Sequence, residues 1–108
     1  MASNQFRFTE IAIADFEGIV SYICFVLENP QAAKAFYNKM CNVIKTLCLF
    51  PSSCPLVEND FISKVQIRKA FVDKYILYYL YEEAIKTITI LRVVFARRNQ
   101  SEIIKSIE

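Results

Sequence analysis

The sequence predicts a small α+β fold: an N-terminal strand, an antiparallel helix hairpin, then a three-stranded antiparallel meander. Together they form one sheet with the helices on one face, followed by a short C-terminal helix. Three observations predict it. Residues 64–98 contain three runs rich in Ile, Val, Tyr and Phe, separated by gaps short enough only for hairpin turns. Ahead of them lie two apolar stripes at helical spacing, broken by Asn29-Pro30. Finally, 108 residues with 55% hydrophobic content, one Gly and three Pro suit a single, regularly structured domain spanning 1–108.

In Asn4–Thr9, Phe6 and Phe8 alternate with Gln5, Arg7 and Thr9, the period-two pattern of a short amphipathic edge strand. From Glu10 the period changes. Ala12, Phe16, Ile19, Val20, Ile23 and Leu27 recur at helical spacing, with Asp15 and Glu17 read as facing out. Gly18 inside this helix costs about 1 kcal/mol against Ala and hints at close packing there. Asn29 precedes a proline, so one helix stops at Glu28 and a second starts at Pro30, with Ala33, Phe36, Met40, Val43, Ile44 and Leu47 on its stripe. So short a joint folds the two back as an antiparallel hairpin. Phe50-Pro51 ends the second helix, and Leu56–Ser63 is a loop carrying Glu58 and Asp60.

The meander is read as Lys64–Val72, Tyr75–Tyr81 and Lys86–Phe95. Residues 64–98 hold eight basic side chains against three acidic ones, a local +5 in a chain of formal net charge +2. A basic, tyrosine-bearing sheet suits a polyanion or an acidic partner better than a small apolar ligand. On the last strand Leu91, Val93 and Phe95 alternate with Ile90, Arg92 and Val94, which sends Arg92 to a sheet face left open by the helices, or else into a structural pairing with Glu82 or Glu83. Residues 99–108 read as helical, capped at Asn99 or Ser101, with Ile103, Ile104 and Ile107 on a stripe that folds back or awaits a partner.

Composition also excludes chemistry. The chain has no His, which removes Ser-His and Cys-His nucleophile arrangements and the commonest general base near neutral pH. Cys24, Cys41, Cys48 and Cys54 contain no CxxC pair and are read as small hydrophobes, so no metal and no cofactor is expected. No apolar run approaches the roughly 20 residues that cross a bilayer, and MASNQFRF lacks the regions of a secretory signal. Cytoplasmic localisation without membrane association is the expectation.

The hairpin broken at Glu28-Asn29-Pro30-Gln31-Ala32-Ala33 and the stop at Phe50-Pro51 are followed by Ile67-Arg68, the run Tyr75–Tyr79 and the segment Ile90–Asn99. In that order and spacing they resemble the RelE/ParE toxin superfamily of type II toxin–antitoxin pairs, over nearly the whole chain. The resemblance implies a growth-inhibiting toxin, of the kind associated with plasmid stabilisation, held in check by a cognate antitoxin. Two activities occur in that superfamily: ParE-like poisoning of DNA gyrase and RelE-like cleavage of mRNA on the ribosome. A homodimer or a toxin–antitoxin hetero-oligomer is expected.

For a nuclease the resemblance points to Lys64, Arg68, Arg92 and Arg98 as the basic set around the scissile phosphate. For binding on the open sheet face it points to Arg68, Tyr78, Arg92, Arg97 and Arg98. The departures from the pattern are Phe95 where many relatives have His, Gln66 where a second strand lysine occurs, and Ile103-Ile104 where a RelE-type catalytic Tyr would fall. Glu58 and Asp60 are the remaining candidate bases, or ordinary surface carboxylates. These departures favour the gyrase branch over the ribosome-dependent endoribonuclease; a toxin-derived module that has lost activity and only binds its antitoxin is the third reading. If Arg92 faces the open side, Arg92→Ala is expected to weaken toxicity more than stability.

Overall fold

The computed structural model describes residues 4–57, 66–98 and 100–107. Strand β1 (Gln5–Phe8) leads into α1 (Glu10–Ser21), which continues as a single π-helical turn over Tyr22–Val26. Then come α2 (Pro30–Leu49), β2 (Ile67–Val72), β3 (Tyr75–Glu82), β4 (Thr87–Phe95) and α3 (Gln100–Ile107). The helix starts follow from local chemistry. The Thr9 hydroxyl accepts the Ala12 N–H and the Asn29 side-chain oxygen accepts the Ala32 N–H, each satisfying a donor that has no partner within the first turn. Pro30 stands at the first turn of α2, where its missing N–H is not needed.

The hairpin joint differs from the sequence reading. Regular α-helix ends at Ser21 rather than Glu28; the Leu27 N–H reaches back five residues to the Tyr22 carbonyl, and the chain turns at Glu28 with φ 52°. The extra residue in that turn rotates the following side chains, so Leu27 is exposed with Phe25 and Val26 instead of lying on the buried stripe. Gly18 is not a point of internal close packing, because a side-chain carbon there would meet nothing within 4 Å. On α2 the expected face is buried, with Cys48 added to it and Val43 only partly covered.

The sheet order is β1-β4-β3-β2, with β1 parallel to β4 and the other two pairs antiparallel, so the predicted meander is present. The hairpin packs on one face, where Phe36, Met40 and Leu47 meet Leu77, Tyr79, Ile88 and Val93. Asp73 takes the left-handed conformation in the β2–β3 turn, as does Lys86 after the 3-10 turn Glu83–Ile85 between β3 and β4. Asp tolerates that region without glycine.

Two expectations about the second sheet face fail. Strict alternation along β4 is broken by a bulge: Tyr79 pairs with Ile90 and Tyr78 with Arg92, so Leu91 is an extra residue. Beyond it Val93 faces the hairpin, while Leu91 and Val94 face away. Nor is the second face open. Helix α3 lies on it and buries Ile103 and Ile104 against Ile67, Ile76, Tyr78 and Val94. That face is itself apolar, and removing it from water at about 25 cal/mol per Å² makes the chain's own terminal stripe its natural cover.

Candidate functional site

The basic residues that the sequence grouped on one surface fall in three places. Arg68 projects to the hairpin face, opposite Tyr79 across the strands. There its guanidinium donates to the Cys54 carbonyl at 2.6 Å and the Ser52 carbonyl at 3.4 Å, while the Tyr79 hydroxyl donates to the Pro51 carbonyl at 2.8 Å. These contacts hold the exit of α2 against β2 and β3. Arg68 is therefore a fastening of the loop and does not belong to the second face. Burial pushes the Tyr79 phenol far above its ordinary value near 10, and Tyr78 is raised for the same reason.

Arg92 and Tyr78 do share the second face, but neither is free. Tyr78 is 2% exposed beneath α3, with its hydroxyl on the Gln100 side chain. The Arg92 guanidinium forms a two-pronged bond to Asp15, with Nε–Oδ2 at 2.7 Å and Nη2–Oδ1 at 3.2 Å, and donates to the Ser106 hydroxyl at 2.6 Å. Its side chain is 12% exposed and that of Asp15 16%. Arg92 is thus structural, as the alternative reading allowed, though its partner is Asp15 and not Glu82 or Glu83. Asp15 does not face out as expected. It stands three residues from Ala12 and four from Ile19, on the inward phase of α1, and that spacing was the available signal. Arg97 and Arg98 are exposed in the turn between β4 and α3. Lys64, Glu58, Asp60 and Asn99 lie outside the described residues.

The part of the second face beyond α3 carries a polar cluster. Glu82 accepts from the Thr89 hydroxyl at 2.7 Å and from Arg7 at 3.2 Å. The Thr89 bond first, then Arg7, holds the Glu82 carboxyl below the usual range. Among the described residues no three metal-ligating side chains converge, and all four cysteines are free thiols, with Cys48 raised by burial. No helix among them is long and apolar enough to cross a membrane.

Sequence reasoning missed a groove between the helix hairpin and the free edge of β4. β1 pairs with β4 only as far as Ile90, leaving the rest of that edge without a strand neighbour. Helix α1 passes alongside, and its Asp15 accepts the Val93 N–H at 3.1 Å. Between them lies a groove of about 750 Å³. Gly18, Ile19 and Tyr22 form one wall, Tyr75, Val93 and Phe95 the other, and Lys74 and Arg98 stand at its end. The Tyr75 ring sits 5.7 Å from Phe95 and 5.0 Å from Phe36, which fixes the apolar wall, and burial raises the Tyr75 phenol with smaller contributions from Tyr22 and Asp73.

A model of the ParE toxin of the type II toxin–antitoxin system parDE matches residues 6–100. The chain belongs to the ParE toxin family. This match runs from the second residue of β1 to the first residue of α3. Among curated proteins none matches in sequence. Among solved structures, this ParE-family chain is similar to the chromosomal ParDE system of P. aeruginosa, with TM-score 0.68 and 18% identity over 88% of this chain and 98% of that one. It is also similar to the RelBE2 toxin–antitoxin complex of Mycobacterium tuberculosis, with TM-score 0.62 and 19% identity over 87% and 99%. A third is the archaeal RelE–RelB complex of Pyrococcus horikoshii OT3, with TM-score 0.61 and 13% identity over 91% and 100%. At these identities the likeness is one of fold.

Proposed function

We propose that this ParE-family toxin arrests growth by poisoning DNA gyrase and is neutralised by a cognate antitoxin. The reading is carried by one observation: the sheet face on which a RelE-type nuclease would gather cations around a phosphate is occupied by α3, with Tyr78 and Arg92 committed to packing. Phosphoryl chemistry needs several cations and an acid or base within hydrogen-bond reach of one point. Among the described residues Arg68 lies on the opposite face, and Arg97 and Arg98 stand exposed with no His anywhere in the chain. A protein that binds a macromolecular target has no need of such a cluster. The family match and the toxin–antitoxin complexes among the structural relatives support the pairing with an antitoxin.

The test is supercoiling by purified gyrase in the presence of folded, antitoxin-free toxin. Inhibition with accumulation of cleaved DNA is the expected result. Full supercoiling activity at toxin in excess over gyrase rejects the proposal, and cuts in translated messages, mapped by primer extension, would transfer the chain to the nuclease branch.

A further inference from the structure

We propose that the tip of the helix hairpin, Phe25 and Val26 with Glu28 beside them, is the element that enters the target protein, seating its apolar side chains in a pocket bordered by basic groups. The proposal rests on the gyrase reading above and adds the contacting element and the chemistry of the surface it meets.

The backbone turns the tip outward. A regular helix through Ile23 would bring Leu27, four residues on, back to the buried stripe. The π-helical turn over Tyr22–Val26 prevents this, and Phe25, Val26 and Leu27 all stand exposed, the first two at 76% and 66%. Such turns are rare and concentrate at functional sites. The chain then reverses through Glu28 at φ 52°, a conformation for which Gly or Asn is the usual residue at a helix end. Backbone strain of this kind persists where a site uses it. The tip is also firmly held. The Leu27 N–H bonds to the Tyr22 carbonyl at 3.0 Å and the Asn29 N–H to the Ile23 carbonyl at 3.1 Å, while the Asn29 side chain caps α2. Large apolar side chains fixed in this way lose little freedom on binding, and their exposure together marks a protein contact. Tyr22 and Leu27 also line the groove beside β4, whereas Phe25 and Val26 stand outside it.

Charge selects the occupant. Residues 8–33 contain Glu10, Asp15, Glu17 and Glu28 and no Lys or Arg, although the chain as a whole is net +2. Asp15 is neutralised by Arg92, while Glu10, Glu17 and Glu28 are exposed and form no ion pair among the described residues. The first basic residue after the tip is Lys34, already a turn into α2. DNA is a poor occupant, since its phosphates would meet carboxylates. A second copy docked tip to tip would bring two Glu28 side chains together, and an acidic partner suited to the basic block 64–98 is disfavoured for the same reason. A protein surface with an apolar pocket and a cationic rim is the complement.

The experiment compares wild-type toxin, Phe25→Ser/Val26→Ser and Glu28→Lys, each folded and antitoxin-free, in gyrase supercoiling at low and high salt, in growth arrest on expression, and in affinity for the co-encoded antitoxin. Both substitutions in the double variant fall on exposed side chains, so its melting temperature should stay within about 3 °C of wild type. Its half-inhibitory concentration should rise at least about 30-fold, the loss typical of a central contact, with antitoxin affinity within about threefold of wild type. Glu28→Lys should weaken inhibition about tenfold at low salt and less at high salt. Wild-type inhibition by the folded double variant overturns the proposal. So does a loss of antitoxin binding equal to the loss of inhibition, which would give the tip to the antitoxin, or a wild-type dimer that the double variant splits, which would give it to a second copy. A wild-type toxin that arrests growth without inhibiting gyrase removes the gyrase reading alone; the tip assignment is then supported if the double variant no longer arrests growth and overturned if it does.

Discussion

Replacing Arg92 with Ala should unfold this protein more readily than it impairs any contact with a target, the reverse of what an Arg92 on an open sheet face would give. The side chain makes two charge-assisted bonds to Asp15 and a third to Ser106, at 2.7, 3.2 and 2.6 Å. Hydrogen bonds to charged groups contribute about 1.5–3 kcal/mol each. Breaking a buried ion pair by removing one partner costs about 3–5 kcal/mol, because the other charge is left uncompensated. With 12% and 16% of the two side chains exposed, water can partly replace the guanidinium at Asp15, and the Val93 N–H remains as a partner. The lower end is therefore appropriate, about 3 kcal/mol, which for a domain of this size lowers the melting temperature by about 10–15 °C. Thermal unfolding followed by circular dichroism measures the loss, and a cycle with Asp15→Ala should return a coupling energy of about 2 kcal/mol. An Arg92→Ala protein that melts within about 3 °C of wild type would refute the assignment of this pair as structural.

Ile104→Ala, 6% exposed under α3, should cost about 2–4 kcal/mol and speed hydrogen exchange across Gln100–Ile107; exchange at the wild-type rate would mean that α3 is not held by this contact. Alkaline titration followed at 295 nm should show Tyr75, Tyr78 and Tyr79 ionising above the ordinary phenol value. Their raised folded-state values mean that their contribution to stability is fully present below pH about 10 and is lost above it, so a single step near 10 in the folded protein counts against the burial described. Glu82 behaves in the opposite sense. Its lowered value adds stability above the ordinary carboxylate range that disappears as pH falls through the folded-state value, and Glu82→Gln should flatten the acid side of the stability profile.

The sequence by itself determined the elements and most of their pairing. Period-two and period-3.6 patterns, the helix break at Asn29-Pro30 and the short gaps after Val72 and Tyr81 are local signals. Strands so closely linked have few ways to associate. The order of those elements was also enough to point to the toxin family. Tertiary structure alone decided where the basic residues went. The bulge at Leu91 and the π-helical turn at Tyr22–Val26 each insert one residue into a regular repeat, and every side chain beyond the insertion changes its facing. The ion pair of Asp15 with Arg92 joins residues 77 positions apart, so helical phase alone could place only one end of it. Whether the apolar stripe of α3 covered its own sheet or waited for another protein was a matter of which apolar surface stood within reach of a short connection, a fact of three-dimensional distance that no periodicity encodes.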